Sequence, residues 1–167
     1  YIWEYQSTVN FKPFLSEFKG RIIENFVQNW NSDVEKNRVM FLYVHFKEHF
    51  EYEHYLDVIP ADVINYLSRL RLRVQTGRYG ANRIYRNQRT CLICNSLDIE
   101  DEYHFVLVCH KLSEIRKKYI KSYYYTRPCV LKFIQLVQSK CKPDLVNLAK
   151  FVKEAFVFRN SVLNNFS

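Results

Sequence analysis

The chain is predicted to be mainly α, with about six helices and an inserted small CCHC zinc-knuckle hairpin. Three observations predict this. Apolar residues recur at three- and four-residue spacing over long stretches. Only three Gly and four Pro are present, which favours helices with short links over a turn-rich β fold. Cys91, Cys94, His104 and Cys109 fall within nineteen residues, spaced C-x2-C-x9-H-x4-C. With 167 residues, 48% hydrophobic and 17% aromatic, the chain can bury a core, so wholesale disorder is excluded.

The helices follow from their apolar stripes. Residues 11–32 form the first, with Pro13 in its first turn and Leu15, Phe18, Ile22, Phe26 and Trp30 on one face. Asn31-Ser-Asp33 is expected to stop it. A second covers about 35–50, with Val39, Leu42, Phe46 and Phe50 on one side. Its His45 and His49 lie at i,i+4 without a third ligand, so they are taken as surface or half-buried histidines. A short acidic turn, Glu51 to Asp57, precedes a third helix from Pro60 to about Val74, lined by Val63, Leu67, Leu70 and Val74. Arg69, Arg71 and Arg73 are expected to project away from that stripe, and Gly77 ends the helix. The fourth runs to about Tyr125 with Ser113 as N-cap, the fifth from Pro128 to about Ser139, and the sixth from Pro143 to near Leu163. Three regions of one compact unit are expected. Residues 1–75 are helical and aromatic-rich, 76–127 hold an arginine-rich arm with the knuckle and a basic helix, and 128–167 hold the C-terminal helices.

A Cys-x-x-Cys turn aims two thiolates at one cation, and a His and a third Cys from the next element complete a tetrahedron. Four protein ligands leave no open position, so one structural zinc ion is expected, and not a catalytic one. Iron suits such ligands less well once an imidazole stands beside three thiolates. His110 directly follows Cys109 and is left out, because adjacent residues rarely reach one ion. Metal-type spacing points to a reducing compartment, nucleus or cytoplasm. Cys129 and Cys141 are expected to be small apolar residues on helices, although a disulfide between them is conceivable. No run of eighteen apolar residues is present, so no membrane span is expected. Tyr1 is not a native start residue and no secretory leader is evident, which suggests a piece of a longer protein.

The net charge of +8 is unevenly spread. Residues 1–68 carry six Lys/Arg against ten Asp/Glu, and residues 69–167 carry nineteen against seven. Such asymmetry points to a polyanion met by the second part alone, the alternative being a solvated basic face. From Arg69 to Arg89 there are seven arginines and no acid. Guanidinium forks grip phosphate and stack on bases. The candidate nucleic-acid contacts are Arg69, Arg71, Arg73, Arg78, Arg83, Arg86 and Arg89, with Tyr79 and Tyr85 interleaved for stacking. Lys111, Lys117, Lys118 and Lys121 would extend the arm into a continuous basic groove. The loop carrying Asp98, Glu100, Asp101 and Glu102 would repel phosphate and is expected to face arginines of the arm or the surroundings of His104.

These residues carry a resemblance. Gly77-Arg-Tyr79, the run Asn87-Gln-Arg-Thr-Cys-Leu-Ile-Cys-Asn95 and the run Glu100-Asp-Glu-Tyr-His-Phe-Val-Leu-Val-Cys109 resemble the zinc-binding region that follows the polymerase in non-LTR (LINE-like) retrotransposon reverse transcriptases. Tyr55-Leu-Asp-Val-Ile-Pro60, Leu70-Arg-Leu72 and Leu148-Ala-Lys-Phe151 are similar to metazoan members. The resemblance covers about residues 25–160, and the metal motif is its one highly specific part. His110 stands where relatives usually have proline. The resemblance implies an accessory segment that binds RNA or single-stranded DNA and positions template or target for an attached reverse transcriptase. The polymerase carboxylates would lie upstream, and this stretch has no Tyr-x-Asp-Asp box, so no enzyme activity and no small-molecule substrate are expected of it. The alternatives are a docking module for another protein and, more remotely, a restriction-like endonuclease remnant. The latter would use Asp144 and Glu154, which lie ten residues apart on one helix and would not converge on a metal.

Overall fold

The structure is a computed structural model and describes residues 11–36, 43–45, 47, 49–71 and 88–164. Most of the expected arginine arm, with Arg73, Arg78, Tyr79, Arg83, Tyr85 and Arg86, lies outside the described residues. The chain divides into two compact units, Tyr1–Arg38 and Val39–Ser167.

The first unit holds helix α1, Phe11–Lys36. It continues through Asn31-Ser-Asp33, which was expected to stop it. Each of those residues costs only a fraction of a kcal/mol in a helix interior, and the apolar stripe runs on to a buried Val34. Earlier along the stripe, Phe14, Leu15, Phe18, Ile22, Ile23 and Phe26 are exposed. Of the second expected helix, residues 37–42, 46 and 48, with Val39, Leu42 and Phe46, lie outside the described residues, and the described remainder is not one α-helix. Residues 35–36 close α1, Tyr43–His45 make a single 3-10 turn, and His49 and Phe50 form a bend. Lys47 folds back onto the Glu51 carbonyl and the Glu53 carboxylate, a geometry that turns the chain.

The described helices of the second unit are α2 (Tyr55–Val58), α3 (Ala61–Arg71), α4 (Ser113–Tyr119), α5 (Ser122–Tyr125), α6 (Val130–Val137) and α7 (Lys142–Asn164). They collect around α7, which packs against α2, α3, α4 and α6. Leu145, Leu148, Phe151, Val152 and Ala155 of α7 are buried, and α3 answers with Val63, Leu67 and Leu70. Pro60 sits just before α3, where its missing N–H costs nothing, and its carbonyl accepts from Val63 and Ile64. The expected fourth helix is broken in two. Ile120 takes an extended conformation after α4, is itself buried, and lets the chain restart at Ser122. Ser113 is the first residue of α4 and not its cap; Leu112 holds the cap position without a side-chain bond. Cys129 and Cys141 are free, exposed and just ahead of α6 and α7, so the expectation that they are apolar residues on helices is corrected.

Two ion pairs, one partly and one fully buried, tie loops to this helical core. Arg71 does not project away from α3. It is buried, donates to both Glu53 oxygens at 3.0 Å and to the Val137 carbonyl at 3.1 Å, and lies over the Tyr55 ring. Arg159 of α7 grips Glu100 through Nε at 2.6 Å and Nη2 at 3.0 Å. Both partners are almost fully shielded from solvent, with side-chain exposures of 5% and 1%. Removing one member of such a pair strands the other in a low-dielectric site. Arg159→Met is expected to lower unfolding free energy by about 3–5 kcal/mol in a urea titration. Arg21→Met, which removes the exposed Arg21–Glu17 pair of α1, should leave the transition in place within error.

Candidate metal centre

The first two ligands come from a narrow hairpin. Thr90 and Ile99 form an isolated antiparallel bridge. Glu100 donates to the Arg89 carbonyl at 2.7 Å and Cys91 to the Asp98 carbonyl at 3.0 Å. The chain turns tightly over residues 92–94, so Cys91 and Cys94 face the same side. Asn95, directly after, has φ of 53°, a left-handed conformation that Asn tolerates better than most residues.

The other two ligands come from a helical turn, not from a second hairpin strand. Asp101 starts it by accepting the His104 N–H on Oδ1 at 2.9 Å, in the manner of an N-cap. His104–Val108 then adopts π-helical geometry, closed by Cys109 N–H to the His104 carbonyl at 2.7 Å. The wider turn explains the spacing. On an α-helix, residues five apart are rotated by about 140° and cannot share an ion. An i→i+5 hydrogen bond wraps five residues into one turn and returns Cys109 to the side of His104.

All four residues are buried, and their ligand atoms lie within 4.8 Å of one another. Cys91 Sγ and Cys109 Sγ are 3.9 Å apart, far beyond a disulfide, and Cys94 Sγ is 3.4 Å from His104 Nε2. His104 Nδ1 is buried without a hydrogen bond, with the exposed Asp98 carboxylate 3.8 Å away. Four soft or borderline donors converge on one point with the outer ring nitrogen facing an acid, an arrangement compatible with one metal ion. His110 is exposed and outside the cluster.

The acidic residues of the loop are structural. Glu100 is committed to Arg159, Asp101 caps the turn, Glu102 is buried, and only Asp98 of the four is exposed. Two cations that sequence reasoning did not single out also frame the site. Besides Arg159, buried Arg116 of α4 donates from Nε to the Val106 carbonyl at 2.6 Å and from Nη2 to the Cys109 carbonyl at 2.8 Å. Among the expected nucleic-acid contacts, Arg69 and Lys111 are exposed and Arg89 is half-buried beside the hairpin. Lys117 pairs with Glu114, Lys118 with Glu154 and Lys121 with Asp144. The continuous basic groove expected along the fourth helix is therefore interrupted by carboxylates. A cleft of about 470 Å³ lies elsewhere, lined among others by Lys47, Glu53, Tyr55, Arg71, Ser139 and Leu145.

Without a cation the four groups share protons. A hydrogen bond to Cys109 and burial push Cys91 up to about 12, and the same bond pulls Cys109 below its ordinary range. Burial alone would lower His104, but hydrogen bonds to Cys91 and Cys94 and the charge on those sulfurs outweigh it and raise the ring from 6.5 to about 9. A pKa raised in the folded state stabilises the metal-free fold below 6.5 and is lost as pH rises through about 9. A metal ion must displace the same proton. The lowered Cys109 thiol contributes with the opposite sign in the same window, so the expected signature is the melting-temperature increment conferred by a divalent cation, which should grow as pH is raised from about 6.5 to about 9. Thermal scans with and without metal across that window check it. Comparison with family models, with curated proteins and with solved structures gives no match, so the chemistry of this site is read from its own side chains.

Proposed function

We propose that the second unit is a zinc-stabilised module that binds RNA or single-stranded DNA. In this reading it is accessory to a reverse transcriptase of the non-LTR retrotransposon type, and it positions template or target for that enzyme. Zinc is supported by the donor set and by its dimensions. Metal–sulfur bonds of about 2.3 Å and metal–nitrogen bonds of about 2.0–2.1 Å give tetrahedral S–S edges of about 3.8 Å and S–N edges of about 3.5 Å. The separations of 3.9 Å and 3.4 Å lie close to those edges. With every position filled by protein, the ion would close the fold and carry no reaction.

One observation carries the nucleic-acid reading. Residues 69–167 hold nineteen basic and seven acidic residues, and of those acids only Asp98 and Glu114 are exposed. Glu100 and Glu102 are buried, Asp101 caps the ligand turn, Asp98 faces His104, and Glu114, Asp144 and Glu154 hold lysines. The cationic excess has little exposed acid to offset it. The paired lysines can still serve, since exposed ion pairs are worth little and exchange readily for phosphate. The resemblance to the retrotransposon region adds the substrate class. Asp144 and Glu154 are ten residues apart on α7, about 15 Å along its axis. Each is engaged by a lysine, which favours a binding role over a nuclease.

A docking role is the second reading, favoured by the exposed face of Phe14, Phe18, Ile22, Ile23 and Phe26 on α1. The two readings separate in one experiment. If about six phosphates are engaged, log affinity for single-stranded RNA or DNA falls against log salt with a slope of about −4 to −5. Replacing Arg78, Arg83 and Arg86 together by Gln is expected to flatten that slope by about 3. An unchanged slope would sink the nucleic-acid reading and leave docking in its place.

A further inference from the structure

Among the described residues of the second unit three arginines are buried, and two of them face a carboxylate: Arg71 holds Glu53 and Arg159 holds Glu100. Arg116 is different. It is 5% exposed, and its hydrogen bonds go to two backbone carbonyls, those of Val106 and Cys109. Among the described residues no carboxylate bonds it. A buried guanidinium without an anion costs several kcal/mol, so a negative partner is required. The peptide groups it holds belong to the ligand turn. Val106 lies between the ligands His104 and Cys109, and the second carbonyl is that of Cys109 itself. A dication held by three thiolates and a neutral imidazole carries a net charge of −1.

We propose that Arg116 is the built-in counter-charge and positioning residue of the metal centre. Its fork anchors the His104–Cys109 turn to α4 while its charge balances the anionic thiolate cluster. This rests on the metal reading above, and it assigns to Arg116 a structural task in place of a phosphate contact. It also accounts for the choice of arginine. One planar group reaches both carbonyls and stays charged at any accessible pH, which lysine does less well and glutamine cannot do.

Zinc affinity by chelator competition, on the full chain, tests it with Arg116→Lys, Arg116→Gln and a control, Leu148→Ala, which truncates the α7 core without removing a charge or a hydrogen bond. Arg116→Gln keeps amide donors but loses the charge, and Arg116→Lys keeps the charge but loses the fork. The expected order is wild type, then Arg116→Lys within about tenfold, then Arg116→Gln weaker by about 10- to 100-fold. Leu148→Ala should lower the melting temperature and leave zinc affinity nearly unchanged. In cobalt-loaded protein the thiolate-to-metal charge-transfer band is expected to move to longer wavelength in Arg116→Gln only, since the sulfurs lose a neighbouring cation. Arg116→Gln binding as tightly as Arg116→Lys, with no band shift, would overturn the counter-charge role. Should Arg116→Gln not fold, Arg116→Lys decides by itself, and a loss beyond about 100-fold overturns the proposal. Wild-type protein that binds no zinc would instead sink the metal reading itself.

Discussion

The second unit depends on four side chains converging between Cys91 and Cys109. They are not an appendage on a finished helical domain. Cys91, Ile93, Cys94, Phe105, Val106, Leu107, Cys109 and Leu112 are continuous with the core formed by α3, α6 and α7. Phe105 packs edge-on against Phe151 and obliquely against Phe156, both from α7. The hairpin and the π turn have few hydrogen bonds of their own. A cation tying the two halves would replace the strand pairing that so short a segment lacks, and the ordering it imposed would offset the entropy of fixing the loop. Polar thiols and an imidazole can then sit at the edge of an apolar core at little penalty, because each has a partner.

The arginines extend the same logic. Loops carry carbonyls with no ladder to satisfy them, and a buried carbonyl without a donor is costly. Arg71 takes the carbonyl at the end of α6, and Arg116 takes two carbonyls of the ligand turn. Arg159 instead holds the carboxylate that follows the hairpin. Each cation joins a loop to the helical layer at a place where backbone pairing stops. Basic composition is therefore a poor guide to surface here, because part of the positive charge is structural mortar.

Much of the fold and the ligand set was legible in the sequence, and what was missed has identifiable causes. Helices α3, α6 and α7 follow from stripes such as Val63, Leu67 and Leu70, where periodicity and burial coincide. The ligands follow from spacing alone. The stop at Asn31-Ser-Asp33 was wrong because local propensity is weak beside the burial of Val34. The break between α4 and α5 carries no Gly or Pro to announce it and comes from burying Ile120. Arg71 lies at helical spacing one residue from Leu70, and its burial depends on Glu53, eighteen positions away, a distance at which sequence patterning carries no signal. The π turn carried no such signal, since ligands four to five residues apart can share an ion from a helical turn or from a loop, and spacing alone does not choose.

The placement of the acids bears on how so cationic a segment can remain compact. A net of +12 over residues 69–167 opposes folding through self-repulsion, and exposed carboxylates would relieve it at the expense of any anionic partner. Here the carboxylates divide: Glu100 lies beneath α7 and Asp101 within the ligand turn, while Glu154 and Asp144 meet exposed lysines of α4 and its exit at the surface. A tetrahedral site of three thiolates would add one more buried negative charge at the centre. Compensation is thus shared between interior and surface, and an anionic partner that recruits Lys118 or Lys121 exchanges a weak exposed ion pair for its own contact.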